Sequence, residues 1–128
     1  MSPPTPIQIP NYGIYTPLVT VFHPTSPLEP LDIPTTLTHA TRMARAGVTG
    51  LVLQGSNGEA PDLDHTERQT LVREIRHHLD ETGYKDLQLI VGCSAASVRE
   101  TLLYIREAKE AGAGFLHWCC RRLIGLLL

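Results

Sequence analysis

Residues 48–59 read VTGLVLQGSNGE, and the order of features in that stretch decides the fold. Val48–Leu53 is a short apolar run, which suits a strand buried on both faces. It runs into Gln54-Gly55-Ser56-Asn57-Gly58-Glu59, where two glycines flank a hydroxyl and an amide. At the C-terminal end of a parallel strand, that is where α/β folds hold their ligands. The glycines allow a tight turn whose N–H groups point into one concavity, and Ser56 and Asn57 add side-chain donors. The result is a small anion site suited to a carboxylate. No lysine follows the glycine, so the turn is not a phosphate loop. No G-x-G-x-x-G follows a strand, so a dinucleotide site is unsupported.

Upstream, Gly13–Phe22 (GIYTPLVTVF) is rich in β-branched and aromatic residues and reads as a strand. Pro17 cannot donate to a ladder, so a bulge or an early strand end is expected there. Residues 23–31 carry three prolines and read as a loop. A helix then starts near Asp32–Pro34, with Asp32 as cap and Leu37, Ala40, Thr41 and Ala44 on one face. Gly47 follows it as a stop. Downstream, Asp64 and Glu67 resemble a capping box. Leu71, Val72, Ile75 and Leu79 mark one helical face, and Gly83 ends it. Leu87–Val91 (LQLIV) is a third strand. Ser97–Glu100 has the strict S-x-x-E form of a capping box, with Val98, Leu102, Ile105 and Ala108 as the apolar stripe of a third helix ending at Gly112. The order β-α-β-α-β-α predicts an α/β fold with a parallel sheet built from right-handed βαβ units. A doubly wound sheet, as in a small flavodoxin-like binding module, and an eight-fold barrel both fit this periodicity.

The ends differ in character. Residues 1–11 hold four prolines and read as an extended leader, residues 12–114 as the folded part, and residues 115–128 (FLHWCCRRLIGLLL) as a divergent hydrophobic tail that could begin a fourth strand. The net charge of -2 supplies no basic field, so no nucleic acid is expected as a partner. No apolar run approaches the roughly 20 residues of a membrane span. The three cysteines are an odd number, with no secretory or transit signal before them, so a reducing, cytoplasmic setting is expected. Cys93 reads as a small buried thiol near the site, and the vicinal Cys119 and Cys120 have no evident role. The six histidines show no ligand spacing, and no metal or other cofactor is expected.

Gly50–Ala60, followed after six residues by Glu67, resembles the signature of the dihydrodipicolinate synthase/N-acetylneuraminate lyase family. The opening strand GIYTPLVT-x-F and the Glu67–Arg68 pair fit the same family, and the resemblance covers about residues 12–114. Most members carry Thr in place of Asn57. The GSNGE form after Gln54 is similar to the 4-hydroxy-2-oxoglutarate aldolase branch. Val21 stands where the family usually has Pro. The resemblance implies a TIM (β/α)₈ barrel, of which this chain supplies about the first three β/α units and the start of strand four. It also implies class I aldolase chemistry, a lyase reaction in which pyruvate or another 2-oxo acid, such as 4-hydroxy-2-oxoglutarate or a 2-keto-3-deoxy sugar acid, forms a Schiff base with a lysine of the sixth strand. Ser56 and Asn57 would bind the carboxylate, Glu59 would brace the turn from behind, and members commonly form homo-oligomers.

No catalytic residue of that family is matched here. The relay tyrosine belongs to a Tyr-Tyr pair just after the fourth strand, where this chain reads His117-Trp118-Cys119-Cys120, and no tyrosine follows Tyr104. The two lysines, Lys85 and Lys109, lie before the third strand and on the third helix, where solvated lysines are common. A complete barrel takes roughly 250 residues. The chain is therefore expected to be truncated and inactive alone, or to be a non-catalytic chain that pairs with a full-length homologue. An incomplete parallel sheet leaves an open edge, so the 128-residue chain should aggregate or associate in size-exclusion chromatography. A sharp monomer peak with a cooperative melt would contradict this.

Overall fold

The computed structural model describes residues 9–25 and 30–117. Most of the leader (1–8) and of the tail (118–128), including Cys119 and Cys120, lies outside the described residues. Seven main elements alternate: β1 (Tyr15–Pro17), α1 (Ile33–Arg45), β2 (Gly50–Leu53), α2 (His65–Glu81), β3 (Gln88–Gly92), α3 (Val98–Glu110) and β4 (Phe115–His117). The strands form one parallel sheet in the order β1-β2-β3-β4. Each crossover steps one strand in the same direction. A doubly wound sheet reverses its strand order at a switch point, and no reversal occurs among these four strands.

The helix starts follow from their caps. Asp32 accepts from the Thr35 amide at 3.0 Å and from the Thr35 hydroxyl at 2.7 Å, with Pro34 in the first turn. Asp64 and Glu67 close a full capping box, at 2.8 and 2.9 Å. The box expected at Ser97 is only half made. Its hydroxyl accepts from the Glu100 amide at 3.1 Å, but the Glu100 carboxylate accepts from the Tyr104 hydroxyl instead, at 3.2 Å. Each helix ends at a residue just before a glycine with positive φ, namely Gly47, Gly83 and Gly112.

In a parallel sheet, laterally paired residues share a face. Leu51 beside Leu89, and Leu53 beside Val91, face the helices and are almost fully buried against Val72, Ile75 and Leu79 of α2. Ala40 and Ala44 of α1 complete this core, and their small side chains let α1 lie close. The opposite row, Pro17–Val52–Ile90–Phe115, is only half-buried or exposed. The double-faced burial expected for β2 is therefore not seen among the described residues, because every described helix packs on one side. Pro17 ends β1 as its missing donor requires, although the Leu18 amide still reaches the Val52 carbonyl at 2.9 Å.

Of the stripe expected on α3, Ile105 and Ala108 face the core, and Val98 and Leu102 do not. The latter two are exposed, and the inward face carries Thr101, Tyr104, Ile105, Ala108 and Ala111. Thr101 is buried on the packed side, where its hydroxyl donates to the Ser97 carbonyl and accepts from the Ala95 amide at the start of the helix. No helix among the described residues is long and apolar enough to cross a membrane.

Two outcomes test this packing. Leu89→Ala should cost about 3 kcal/mol in denaturant unfolding, whereas Leu102→Ala should change stability by less than about 0.5 kcal/mol. The Thr35 hydrogen bonds hold the Asp32 carboxyl below its ordinary range. A depressed native pKa contributes stability above the unfolded value of about 3.9, and that contribution is lost as pH falls through the native pKa. Asp32→Asn should therefore flatten the acid limb of melting temperature against pH below about pH 4 and leave its shape unchanged near pH 7.

Candidate carboxylate site

The C-terminal ends of β2, β3 and β4 open onto a cavity of about 610 Å³. Gln54, Gly55 and Ser56 line it from β2, Gly92, Ser94 and Ala95 from β3, Glu100 and Tyr104 from α3, and His117 from β4. The turn after β2 is a short 3-10 segment, Ser56–Gly58, closed by the Gly58 amide on the Gly55 carbonyl at 3.0 Å and the Glu59 amide on the Ser56 carbonyl at 3.3 Å. The amides of Ser56 and Asn57 make no such backbone bond among the described residues. Of the two residues expected to bind a carboxylate, Ser56 lines the cavity. Asn57 is exposed on the turn beside it and is not part of the lining.

Two close contacts fix this turn. Gln54 leaves β2 in the left-handed region, at φ 55°, and is buried. That bend carries its carbonyl against Gly92, where a Cβ would lie 2.2 Å from the carbonyl oxygen. Glycine is therefore required at the end of β3. On the other side, the Thr20 hydroxyl donates to the Gly58 carbonyl at 2.7 Å. Glu59 was expected to brace the turn, but its side chain is exposed and makes no hydrogen bond or ion pair among the described residues. Its contribution is a left-handed backbone, at φ 52°, and Thr20 supports the turn instead.

Behind the cavity lies a residue whose place the motif alone did not reveal. Arg68 is 4% exposed. Its guanidinium donates to the Ala60 carbonyl at 3.0 Å and the Gly92 carbonyl at 2.6 Å, and lies 4.1 Å over the Tyr104 ring. Its own carbonyl accepts from the Gln54 side-chain amide at 2.7 Å. Burial pulls the Arg68 pKa down from its usual value, opposed by the charges of neighbouring acidic groups, and a guanidinium this basic stays charged. Tyr104 also packs on His65, whose Nδ1 lies 3.0 Å from the Glu107 carboxylate. Burial and the Glu100 charge push the Tyr104 phenol up. Burial likewise pushes the Cys93 thiol up, against the pull of Arg68, so Cys93 is a protonated core side chain and not a nucleophile near neutral pH.

Neither lysine reaches the cavity. Lys85 precedes β3, at the opposite end of the sheet, and Lys109 sits in the last turn of α3. Both are exposed. Among the described residues, no group of three His, Cys, Asp or Glu side chains is placed to hold a metal ion.

No model of a known protein family matches the chain. Individual proteins do. The chain is 45% identical over 103 residues to an L-threo-3-deoxy-hexylosonate aldolase of Aspergillus niger, a match that covers 80% of this chain and 30% of that protein. It is 40% identical over 104 residues to a probable mitochondrial 4-hydroxy-2-oxoglutarate aldolase of Emericella nidulans, covering 81% and 33%. Among solved structures it superposes on YagE, a prophage protein of the dihydrodipicolinic acid synthase family from Escherichia coli K12 determined in complex with pyruvate. There the TM-score is 0.72 and the identity 30%, over 83% of this chain and 33% of that one. The resemblance read from residues 50–68 therefore holds in sequence and in fold, and its homologues are aldolases and lyases. The chain spans about a third of the length of the curated relatives it matches.

The contact between β2 and β3 is the most sensitive point of the site. Gly92→Ala should destabilise the protein by about 3 kcal/mol, because the added methyl meets a backbone carbonyl that cannot rotate away. Denaturant unfolding reads the loss. A Gly92→Ala variant as stable as the parent would show that the Gln54 bend is not fixed.

Proposed function

We propose that this chain carries the opening β/α units of a Schiff-base aldolase barrel and that the turn after β2 holds the carboxylate of a 2-oxo acid. The observation that carries the reading is the turn itself. It sits at the C-terminal end of a singly wound parallel sheet, with Ser56 lining the cavity and the Ser56 and Asn57 amides making no backbone bond. The similarity to 2-oxo-acid aldolases and to a pyruvate-bound structure supports the same ligand. On this reading the carboxylate takes the two amides and the Ser56 hydroxyl, the Asn57 side chain closes over it, and the C2 carbonyl is directed across the cavity.

The chemistry of this class needs an amine. It adds to the C2 carbonyl, water leaves, and the resulting iminium accepts the electron pair of the breaking C3–C4 bond. Lys85 and Lys109 lie away from the cavity, so neither supplies that amine. These 128 residues would then bind a 2-oxo acid without turning it over.

The expected result for the 128-residue chain is saturable pyruvate binding that perturbs the Gly55–Asn57 amides in a ¹H–¹⁵N titration, with no covalent adduct after borohydride reduction. Ser56→Ala should weaken binding about fivefold, the loss of one hydrogen bond of about 1 kcal/mol. An adduct on either lysine would contradict the inactivity. Pyruvate shifts confined to residues outside the turn would contradict the site.

A further inference from the structure

We infer that Arg68 is a positioning residue that sets the spacing between the loops after β2 and β3, and so the shape of the carboxylate pocket. The inference rests on the binding reading above, although the geometry that supports it does not. Arg68 is held at three points, and each belongs to a residue lining the cavity: Ala60 and Gly92 through its guanidinium, and Gln54 through its own carbonyl. Ala60 follows the carboxylate turn and Gly92 ends β3, so the guanidinium joins the two loops directly. The Tyr104 ring, stacked against the same guanidinium, forms the adjoining wall.

The chemistry of the side chain explains the choice of residue. No ion pair of Arg68 with a carboxylate occurs among the described residues. A buried cation without such a partner is costly to desolvate, and an apolar side chain of similar volume fills space more cheaply. What an apolar residue lacks is a rigid fork. The two terminal nitrogens of a guanidinium diverge at fixed geometry and span two separate carbonyls, whereas a lysine ammonium is a single point of charge at the end of a flexible stem. A role in charge alone is satisfied by lysine; a role in spacing is not.

The test uses the full 128-residue chain as wild type, Arg68→Lys and Arg68→Met, followed by amide exchange and by pyruvate titration in ¹H–¹⁵N spectra. In the lysine variant, the amides of Gly58 and Cys93, which close the β2 turn and tie β3 to β4, should exchange at least about tenfold faster together, while the β2–β3 ladder keeps its protection. Pyruvate affinity should fall about tenfold, the equivalent of one charge-assisted hydrogen bond. A lysine variant that matches the wild type in both measurements overturns the inference. So does a variant that only melts at lower temperature and binds pyruvate with unchanged affinity. If the wild type shows no pyruvate shifts, the carboxylate reading fails, and the paired Gly58 and Cys93 exchange still decides the spacing role. If neither variant folds, the wild-type guanidinium decides it. Two separate, slowly rotating Nη signals coupled through hydrogen bonds to the Ala60 and Gly92 carbonyl carbons support the inference; a freely rotating guanidinium overturns it.

Discussion

A buried arginine that ties the loops after β2 and β3 together constrains everything around the cavity. Arg68 enters from the first turn of α2, so the helix cannot shift against the sheet without breaking the bonds to Ala60 and Gly92. The register of β2 against β3 obeys the same constraint, because the Gln54 carbonyl and Gly92 come into contact only when Leu53 pairs with Val91. Hydrophobic burial of Leu51, Leu53, Leu89 and Val91 against α2 supplies most of the driving force for this arrangement, but burial is non-directional. The hydrogen bonds of Arg68 and the missing Cβ of Gly92 give it direction, and they do so at the end of the sheet where the candidate site lies.

The sheet places that site at one end and its helices on one face. The described helices lie on one face, and the opposite row of Pro17, Val52, Ile90 and Phe115 is left half-buried or exposed. Strand order without a reversal is the arrangement of a barrel wall, in which the loops at one end converge on a common centre. Here the loops after β2 and β3, with His117 at the end of β4, already converge on one cavity. A carboxylate bound at the Ser56 turn would lie at the edge of that centre, with its carbonyl carbon directed across it.

Much of this was legible in the residues, and the reasons differ by element. The α2 start was read from Asp64 and Glu67 because a capping box is local chemistry, and the same holds for Pro17 as the end of β1. The GSNGE stretch was legible as a tight turn after β2 because its glycines allow one, and as a family signature because its residues match one. The α3 stripe was legible in part: Ile105 and Ala108 pack inward as their spacing suggests, whereas Val98 and Leu102, on the flank beside Ile105, stay exposed because the helix is turned toward Thr101 and Tyr104, and spacing alone does not set that rotation. The Ser97 box was half wrong because Glu100 has a competing donor, the Tyr104 hydroxyl, that sequence spacing does not show. The sequence shows Arg68 only as half of a Glu-Arg pair, without a role. Arginine is ordinarily a surface residue, and the carbonyls that hold it come from segments 8 and 24 residues away. The only signal was its position, three residues before Leu71 on the buried face of α2.

The central claim is that the turn after β2 receives the carboxylate of a 2-oxo acid. A crystal structure of the chain soaked in pyruvate tests it most directly. Pyruvate is expected with its carboxylate oxygens within hydrogen-bond distance of the Ser56 and Asn57 amides and its C2 carbonyl open to the cavity, with no bond to Lys85 or Lys109. Pyruvate bound elsewhere, for instance on the exposed arginines of α1, with the Ser56 turn left to solvent, would contradict it.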